Sequence, residues 1–344
     1  MAKFANADGR GQGLIAIDAT ITTALPVASG ADSIVIGGDA TASGQSAIAI
    51  GNKTSLGVTN STAISTMAIG ANTIADHTYA IAIGSGDASN NGASSQSYGA
   101  IVIGAAATAN NGYATQQGGV AIGFSSHGNG ISAVAVGAYA TAPGTHSIAV
   151  GGNSSGNGQE TVVIGYSANS YYDNVVVIGN VASTSISKSI AIGYQASASR
   201  SGQIAFATGY NTASEDAQAW IQLLRATTTD ATVTELLAGG VASAYLTLAD
   251  NHVYYMDVHI IGRRTDVVGD TAIFTLTFGV SRGTGVASVV LLGTPVITTI
   301  QRTDATWAVS VNADTTNGRV AIKVNGAAAK TVRWMANARV TEVA

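Results

Sequence analysis

The sequence predicts an all-β protein, with a parallel β-roll in its first part and an antiparallel β-domain in its last third. Two patterns carry this prediction. Between residues 34 and 193, an apolar–small–apolar triplet followed by glycine occurs eleven times. From Trp220 onward, apolar residues instead alternate with polar ones over longer runs. A repeat of fixed length indicates a solenoid, and regular alternation indicates strands with one buried face.

One repeat predicts one coil of the solenoid. The closing glycines are 14 residues apart in most repeats and 19 or 20 apart in three. Fourteen residues are too few for a helical crossover between parallel strands, but they suffice for two short strands and two turns. We expect glycine to close a corner through a positive φ or a close backbone approach. In the second half of many repeats alanine alternates with a polar residue, as in Asp39–Gly44, which predicts a strand with one face buried.

The triplet strand is apolar on both faces, because its middle residue and its two larger neighbours point in opposite directions. We expect the larger residues to fill the roll. The middle residues then form an exposed column of small apolar side chains, which soluble monomers avoid. This column predicts a homotrimer, with a covering loop of the same chain as the alternative. The residues assigned to the trimer axis are Val35, Ala49, Ala68, Ala82, Val102, Ala121, Ala135, Ala149, Val163, Val177 and Ala191.

The repeat, of the form S-x-A-I-G-x-x-A-x-A-x-G, resembles the head of trimeric autotransporter adhesins, the YadA-like head. The resemblance covers roughly residues 31–210. It implies a left-handed parallel β-roll that assembles as a trimer. It implies little about function, because one fold hosts many functions.

Composition excludes several classes of function. The chain has 344 residues, a net charge of −4, 10% charged residues and no cysteine. Sequence-independent nucleic-acid binding needs clustered Lys and Arg, so no nucleic-acid partner is expected. The first residues lack the apolar segment of a secretory signal, and no apolar run is long enough for a membrane-spanning helix. We therefore expect a chain that is made in a host cytoplasm, does not export itself and does not insert into a membrane.

The last third predicts a separate domain over residues 211–344, an antiparallel β-sandwich or jelly roll. Apolar residues alternate in Tyr254–Ile260, Phe274–Val280 and Val332–Val340. Asn317-Gly318 is a strong two-residue hairpin signal. The only helical signal is a weak one near residues 215–224. Three tryptophans fall on the inward faces, where we expect core positions: Trp220, Trp307 and Trp334.

This domain has a resemblance of its own, to the C-terminal domain of bacteriophage tail fibre and tail spike proteins. The segments that carry it are Ala219–Leu223, Thr227–Asp230, Gly262–Asp266, Ala313–Gly318 and Lys330–Trp334. Together the two resemblances imply a viral receptor-binding fibre. Residues 1–30 would attach it to other phage tail or baseplate proteins, residues 31–210 would form the shaft and residues 211–344 the tip.

Motifs of catalysis and ligand binding are missing from the sequence. The five histidines form no H-x-H or H-E-x-x-H pattern, and no pair of acids stands out for glycosidase chemistry. The glycine-rich stretches lack the lysine and the strand–helix context of a phosphate loop. We expect no catalytic residue, no cofactor and no metal, although one histidine from each of three chains on the trimer axis remains an open alternative.

Receptor contact is expected from loops on a rigid scaffold. Two surfaces are candidates, the longer coils and the far end of the C-terminal domain, and terminal position favours the second. The candidates in the longer coils are Tyr98, Tyr113 and Gln116. Those at the far end are Arg263, Arg264, Asp266, Arg282, Arg302 and Asp304.

The predicted function is that of a structural virion protein, a homotrimeric phage tail fibre or tail tip that adsorbs to a bacterial surface receptor without catalysis. A host polysaccharide is the expected receptor, and an outer-surface protein is the alternative. Other functions remain open: a tail spike that depolymerises glycans with a carboxylate pair formed across chains, a bacterial surface adhesin, and a tail component that never touches the host.

Overall fold

The structure is a computed structural model that describes residues 3–4, 15–18, 26–51, 59–86, 92–104, 113–114, 117–212 and 215–344. The chain forms two compact units, Met1–Ile178 and Gly179–Ala344. All regular structure in the described residues is β, apart from one short 3-10 turn at Val286–Ser288. The predicted all-β class is therefore confirmed.

The first unit consists of short strands, mostly of three and two residues in turn. They are β1 (Lys3–Phe4), β2 (Ile15–Asp18), β3 (Val27–Ala28), β4 (Ile34–Ile36), β5 (Thr41–Ala42), β6 (Ile48–Ile50), β7 (Asn60–Ser61), β8 (Met67–Ile69), β9 (Ile74–Ala75), β10 (Ile81–Ile83), β11 (Ser94–Ser95), β12 (Ile101–Ile103), β13 (Tyr113–Ala114), β14 (Val120–Ile122), β15 (Val134–Val136), β16 (Ile148–Val150), β17 (Ser155–Gly156), β18 (Val162–Ile164), β19 (Asn169–Ser170) and β20 (Val176–Ile178).

From β2 onward the strands of the first unit stack in parallel from coil to coil, whereas β1 pairs antiparallel with β2. The triplet strands form one sheet, in which Ile34 pairs with Ile48 and Val35 with Ala49. The two-residue strands form a second layer, in which Thr41 pairs with Asn60. Each middle residue therefore lies over the middle residue of the next coil, and one coil per repeat is confirmed. The triplet sheet also includes β2, which pairs with β4, so it extends into the segment that the sequence assigned to attachment.

Glycine closes the corners as predicted. Gly70 has a φ of 123°, and a Cβ built there would overlap the carbonyl oxygen of Gly84 in the next coil. Both the backbone conformation and the close approach require a residue without a side chain.

The predicted direction of the triplet side chains is wrong. Val35 and Ala49 are completely buried within a single chain, whereas Ile34 and Ile36 on either side are half-exposed. The opposite wall of the coil explains this, because its small residues Ala40 and Ala42 are also completely buried. The space between the two walls holds small side chains, and the large ones point outward.

The residues assigned to a trimer axis consequently lie inside the coils and cannot meet another chain there. Each of them is at most 1% exposed: Val35, Ala49, Ala68, Ala82, Val102, Ala121, Ala135, Ala149, Val163, Val177 and Ala191.

The second unit contains four short strands followed by longer ones. They are β21 (Ser183–Thr184), β22 (Ile190–Tyr194), β23 (Ser197–Ala198), β24 (Gln203–Thr208), β25 (Ala217–Thr228), β26 (Thr234–Glu235), β27 (Leu237–Ala238), β28 (His252–Arg264), β29 (Thr271–Arg282), β30 (Val290–Arg302), β31 (Ala308–Asp314), β32 (Arg319–Asn325) and β33 (Val332–Val343).

Two antiparallel sheets enclose the core of the second unit. The large sheet has the order β24-β25-β33-β28-β29-β30, and the small one the order β26-β32-β31. Trp220, Trp307 and Trp334 are all buried in one apolar cluster, and Trp307 and Trp334 pack edge to face with ring centroids 5.6 Å apart. The predicted antiparallel domain and the core position of its tryptophans are confirmed.

Details of the second unit differ from the sequence analysis. The weak helical signal near residue 215 is wrong, because β25 covers most of it and pairs with β33 along its whole length. The hairpin at Asn317-Gly318 is present, but residues 315–318 all lie between the paired ends Asp314 and Arg319. The coils β21–β24 belong to this unit, although the sequence assigned them to the shaft.

A larger side chain inside a coil should destabilise the first unit. Ala135 is completely buried, with Ala121 and Ala149 beside it on the adjacent strands. We expect Ala135→Leu to lower the free energy of unfolding by about 1–3 kcal/mol, the usual cost of overpacking. The measurement is thermal or urea unfolding followed by circular dichroism. Val136→Leu is the matched control, because this half-exposed neighbour points outward, and equal effects of the two variants would contradict the assignment of inside and outside.

Candidate functional site

One end of the second unit holds a cluster of charged residues, which we call the end cluster: Arg264, Asp266, Asp270, Asp304 and Lys330. Arg264 is the last residue of β28, and the loop between β28 and β29 supplies Asp266 and Asp270. The backbone N–H of Thr303 donates to the carbonyl oxygen of Thr271 at 3.0 Å, and this bond holds the loop after β30 beside them. The structure thus brings together three of the predicted residues, Arg264, Asp266 and Asp304.

Ion pairs connect the end cluster. The Arg264 guanidinium donates to both carboxylate oxygens of Asp266, at 2.7 and 2.8 Å, and to Asp270 at 3.2 Å. The ammonium of Lys330 lies 2.6 Å from Asp304 and 3.9 Å from Asp270. Hydrogen bonds from Arg264 hold the pKa of Asp266 below its usual value, and hydrogen bonds from Lys330 and Thr306 do the same for Asp304. These carboxylates are therefore ionised at neutral pH and accept hydrogen bonds.

Two other predicted residues lie at the same end. Arg263, next to Arg264 at the end of β28, is exposed. Arg302, the last residue of β30, donates from Nη1 to the carbonyl oxygen of Trp307 at 3.0 Å. Arg302 thereby stabilises the loop that carries Asp304.

Arg282 lies at the opposite end of the sheet. It pairs with His252 across β28 and β29, whereas Arg263 pairs with Thr271. Its guanidinium lies 2.6 Å from Asp250 and donates to the carbonyl oxygen of Gly318 at 3.1 Å. The residues predicted at the far end of the domain therefore do not form one surface.

Of the candidates in the longer coils, only Tyr98 has a described side chain. Its ring is 53% exposed and packs edge to face against Tyr79, with centroids 5.5 Å apart. The side chain of Tyr113 and all of Gln116 lie outside the described residues. The role of these three residues stays a prediction.

A cleft of about 580 Å³ in the second unit was missed by the sequence analysis, and we call it the basic cleft. Three basic residues, Lys188, Arg200 and Arg225, are among those that line it. They come from the loop before β22, the loop after β23 and the middle of β25. No local pattern links three single basic residues so far apart in the sequence.

Arg200 is held below the basic cleft by aromatic and polar contacts. It is 5% exposed, and its guanidinium carbon lies 4.7 Å from the centroid of the Trp220 ring. Its Nε donates to the carbonyl oxygen of Thr247 at 2.7 Å. Nη2 lies 3.6 Å from a carboxylate oxygen of Glu342. Burial raises the pKa of Glu342, and the charge of Arg200 opposes that shift.

A second ion-pair group supports Tyr245 in the wall of the basic cleft. The Arg319 guanidinium lies 3.4 Å from the centroid of the Tyr245 ring, within the range of a cation–π contact. Asp314 at 2.6 Å and Glu235 at 2.7 Å hold Arg319 in place. Hydrogen bonds from Asn317 and Arg319 lower the pKa of Asp314 to about 2.

Within the part of the chain that the structure describes, no group of three His, Cys, Asp or Glu side chains is arranged to hold a metal ion. Nor do these residues include a helix with the length and apolar character needed to span a bilayer.

The comparisons with known proteins support the repeat assignment. The family model described as the YadA head domain repeat (2 copies) matches residues 28–54, 61–86, 129–154 and 187–212. The predicted YadA-like head repeats are therefore confirmed. No curated protein matches the sequence.

Solved structures similar to this chain include two bacteriophage tailspikes. One is the tailspike protein gp49 from Acinetobacter baumannii bacteriophage Fri1, a capsular polysaccharide depolymerase, with 9% identity and a TM-score of 0.25 over 90% of this chain. The other is the tailspike protein of Acinetobacter baumannii phage AM24, with 10% identity and a TM-score of 0.24 over 94% of this chain. The chain spans 65% and 68% of their lengths.

The lowered pKa of Asp314 predicts how its contribution to stability depends on pH. This carboxylate stabilises the fold at pH values above its ordinary pKa of 3.8, and the contribution is lost as the pH falls toward 2. We expect Asp314→Asn to lower the Tm at pH 7, by roughly 2–4 °C per kcal/mol lost. The difference in Tm from the unmodified protein should shrink between pH 4 and pH 2, because Asp314 itself becomes protonated in that range.

The measurement is a series of thermal scans from pH 7 to pH 2. Asp32→Asn, which removes a carboxylate of the first unit and leaves the ion pairs of Arg319 intact, serves as the matched control. A difference in Tm between Asp314→Asn and the unmodified protein that stays constant from pH 7 to pH 2 would contradict the ion-pair assignment.

Proposed function

We propose that the chain is a homotrimeric phage tail fibre or tail tip protein, a structural part of the virion that adsorbs to a bacterial surface glycan without catalysis. The observation that carries this proposal is the exposed apolar surface of both units, on a scaffold that contains YadA-like head repeats. Residues 1–30 would attach the fibre to other tail or baseplate proteins.

The triplet sheet of the first unit supports assembly. Its large side chains point outward, among them Ile103, Ile164 and Ile178, which are 38–39% exposed. Because the strands stack in register, these residues form continuous apolar columns. A surface of this kind marks a protein interface. The apolar columns that favour a trimer are therefore those of the large residues.

The large sheet of the second unit supports the same conclusion. On the face away from the tryptophan core it exposes Tyr255, Ile261 and Met335, each close to half-exposed or more, together with Leu223 and Val343. The strands that carry them are neighbours in the sheet. This second apolar face favours contact between copies of this unit as well.

Receptor binding at the end cluster is supported by its fixed polar geometry. Arg264 and Lys330 hold three carboxylates in place, and charged groups with fixed positions bind sugar hydroxyls without losing much side-chain entropy. Arg263 adds an exposed donor beside them. Three equal sites on one trimer, with several fibres on one virion, would multiply a modest affinity through multivalency.

The state of the carboxylates favours binding over hydrolysis at this site. Glycoside hydrolysis needs one carboxylic acid with a raised pKa beside a second carboxylate. In the end cluster, Asp266 and Asp270 both bind Arg264, and the pKa of Asp266 is lowered. A depolymerase and a bacterial adhesin are the competing functions that the experiments below distinguish.

The trimer predicts that a charge in an apolar column separates the subunits. Ile164 is 39% exposed and lies on β18, paired with the equally exposed Ile178 on β20. We expect Ile164→Glu to convert the trimer to monomers, because an unpaired charge in an apolar interface is costly. The measurement is the molar mass in solution by sedimentation or light scattering.

Tyr171→Glu is the matched control for the trimer. Tyr171 is 72% exposed and follows β19 on the other strand layer of the coil, so this variant should remain trimeric. A monomeric unmodified protein, or loss of the trimer in both variants, would count against the interface.

The receptor role predicts retention of envelope glycans without cleavage. We expect the purified chain to bind bacteria and their isolated envelope polysaccharide and to leave the polysaccharide chain length unchanged. Arg263→Gln together with Lys330→Gln should weaken this retention, because the first removes the exposed donor beside the end cluster and the second removes a donor within it. The measurements are pull-down and size-exclusion profiles of the glycan.

Each competing function gives a different result. Shorter polysaccharide chains would establish a depolymerase. Antibodies against the chain that label bacterial cells but no virions would favour an adhesin. Intact virions that carry the chain and adsorb equally well after the end-cluster substitutions would move receptor binding elsewhere.

A further inference from the structure

We infer that the basic cleft of the second unit binds the carboxylate of an acidic sugar. This inference rests on the proposed function as a glycan-binding fibre and names the class of sugar. It also assigns a binding site at a place where the sequence analysis predicted none.

Charge is the first observation that carries the inference. Lys188, Arg200 and Arg225 line the basic cleft, and none of the residues that line it is acidic. The chain as a whole has a net charge of −4 and only 10% charged residues. A concave surface lined by one sign of charge concentrates the electrostatic field. An anion is therefore favoured in this cleft and disfavoured over the chain in general.

The state of Arg200 is the second and independent observation. Its side chain is 95% buried, since only 5% is exposed, and within the described residues Nη1 has no hydrogen-bond partner. Its nearest carboxylate, on Glu342, lies 3.6 Å from Nη2, which is too long for a strong charge-assisted hydrogen bond. The positive charge at the floor of the cleft is thus incompletely neutralised, and its field favours an anion in the cleft above it.

The two other basic residues stand where a ligand can reach them. Lys188 and Arg225 are exposed. Arg225 also donates from its guanidinium to the carbonyl oxygen of Gly239, which fixes its orientation toward one wall. A carboxylate that enters the cleft would contact these two groups directly. The buried guanidinium of Arg200 would attract it electrostatically without direct contact.

The remaining walls suit a sugar better than a free inorganic ion. Apolar surface comes from Ile186, Val241 and Ala244, on which the C–H face of a sugar ring can pack. Hydroxyl groups come from Ser201 and Ser243, which hydrogen-bond sugar hydroxyls. The volume of about 580 Å³ lies within the usual range for small-ligand sites. Positive charge, apolar wall and hydroxyl groups together match a ring that carries one acid group.

The test compares three oligosaccharides of equal length on the full-length protein: one with uronic acid residues, its neutral counterpart and a phosphorylated counterpart. Isothermal titration calorimetry measures the affinities. We expect the uronic acid compound to bind at least about tenfold more tightly than the neutral one, the effect of one charge-assisted contact. Added salt should reduce that preference.

Variants locate the site. Lys188→Gln should weaken binding of the uronic acid compound about tenfold, and Lys188→Glu should weaken it further, while neutral sugars are unaffected. Both changes fall on an exposed residue, so unfolding is not expected, and circular dichroism checks this. Lys323→Gln is the matched control, because Lys323 lies on β32 and does not line the basic cleft.

The outcomes separate the inference from the proposed function. Binding of bacteria together with equal affinity for acidic and neutral sugars would overturn the inference and leave the fibre function intact. Tighter binding of the phosphorylated compound would overturn the choice of a carboxylate. Failure to bind any bacterium or envelope glycan would overturn the proposed function itself.

Discussion

The narrow interior of the coil is the constraint on which the rest of the first unit depends. Its two strand layers face each other across a space that holds alanine, serine and the occasional valine. Because the strands pair in parallel and in register, small residues occupy the same interior positions in every coil. A single large residue inside one coil would therefore strain the coils above and below it. Large apolar residues are thereby forced outward, and the exposed surface that favours assembly is a direct consequence of how thin each coil is.

The sequence predicts the repeat, the register and the glycine corners, because each of them corresponds to residue types that recur at a fixed interval. It does not predict which face of the triplet is inside. Alternation shows only that Val35 and its neighbours Ile34 and Ile36 point to opposite sides. Side-chain size then misleads, since larger apolar residues usually fill a core. Which face is buried depends on the distance between the two strand layers, and this distance cannot be inferred from the sequence of a single strand.

In the second unit the same reasoning works for the core and fails for the surface. The alternation of apolar and polar residues identifies the buried faces of the long strands, because every second residue of a strand points to the same side. The end cluster depends on which loops meet, and antiparallel pairing separates Arg282 from Arg263 by the length of a strand. The basic cleft depends on residues from β25 and from two loops of the last coils, each of which looks like an ordinary surface charge in the sequence.

Lys188 shows how a repeat can change its charge at one position. It occupies a corner with positive φ, and the residues at the same place in other repeats include Ser132, His146, Glu160 and Asn174, all with positive φ. None of these four is a lysine or an arginine. The left-handed corner turns its side chain away from the coil interior, so substitution there leaves the coil intact. A repeat scaffold can therefore change charge at one corner without loss of packing, and in this chain the basic residue falls in the coil that borders the cleft.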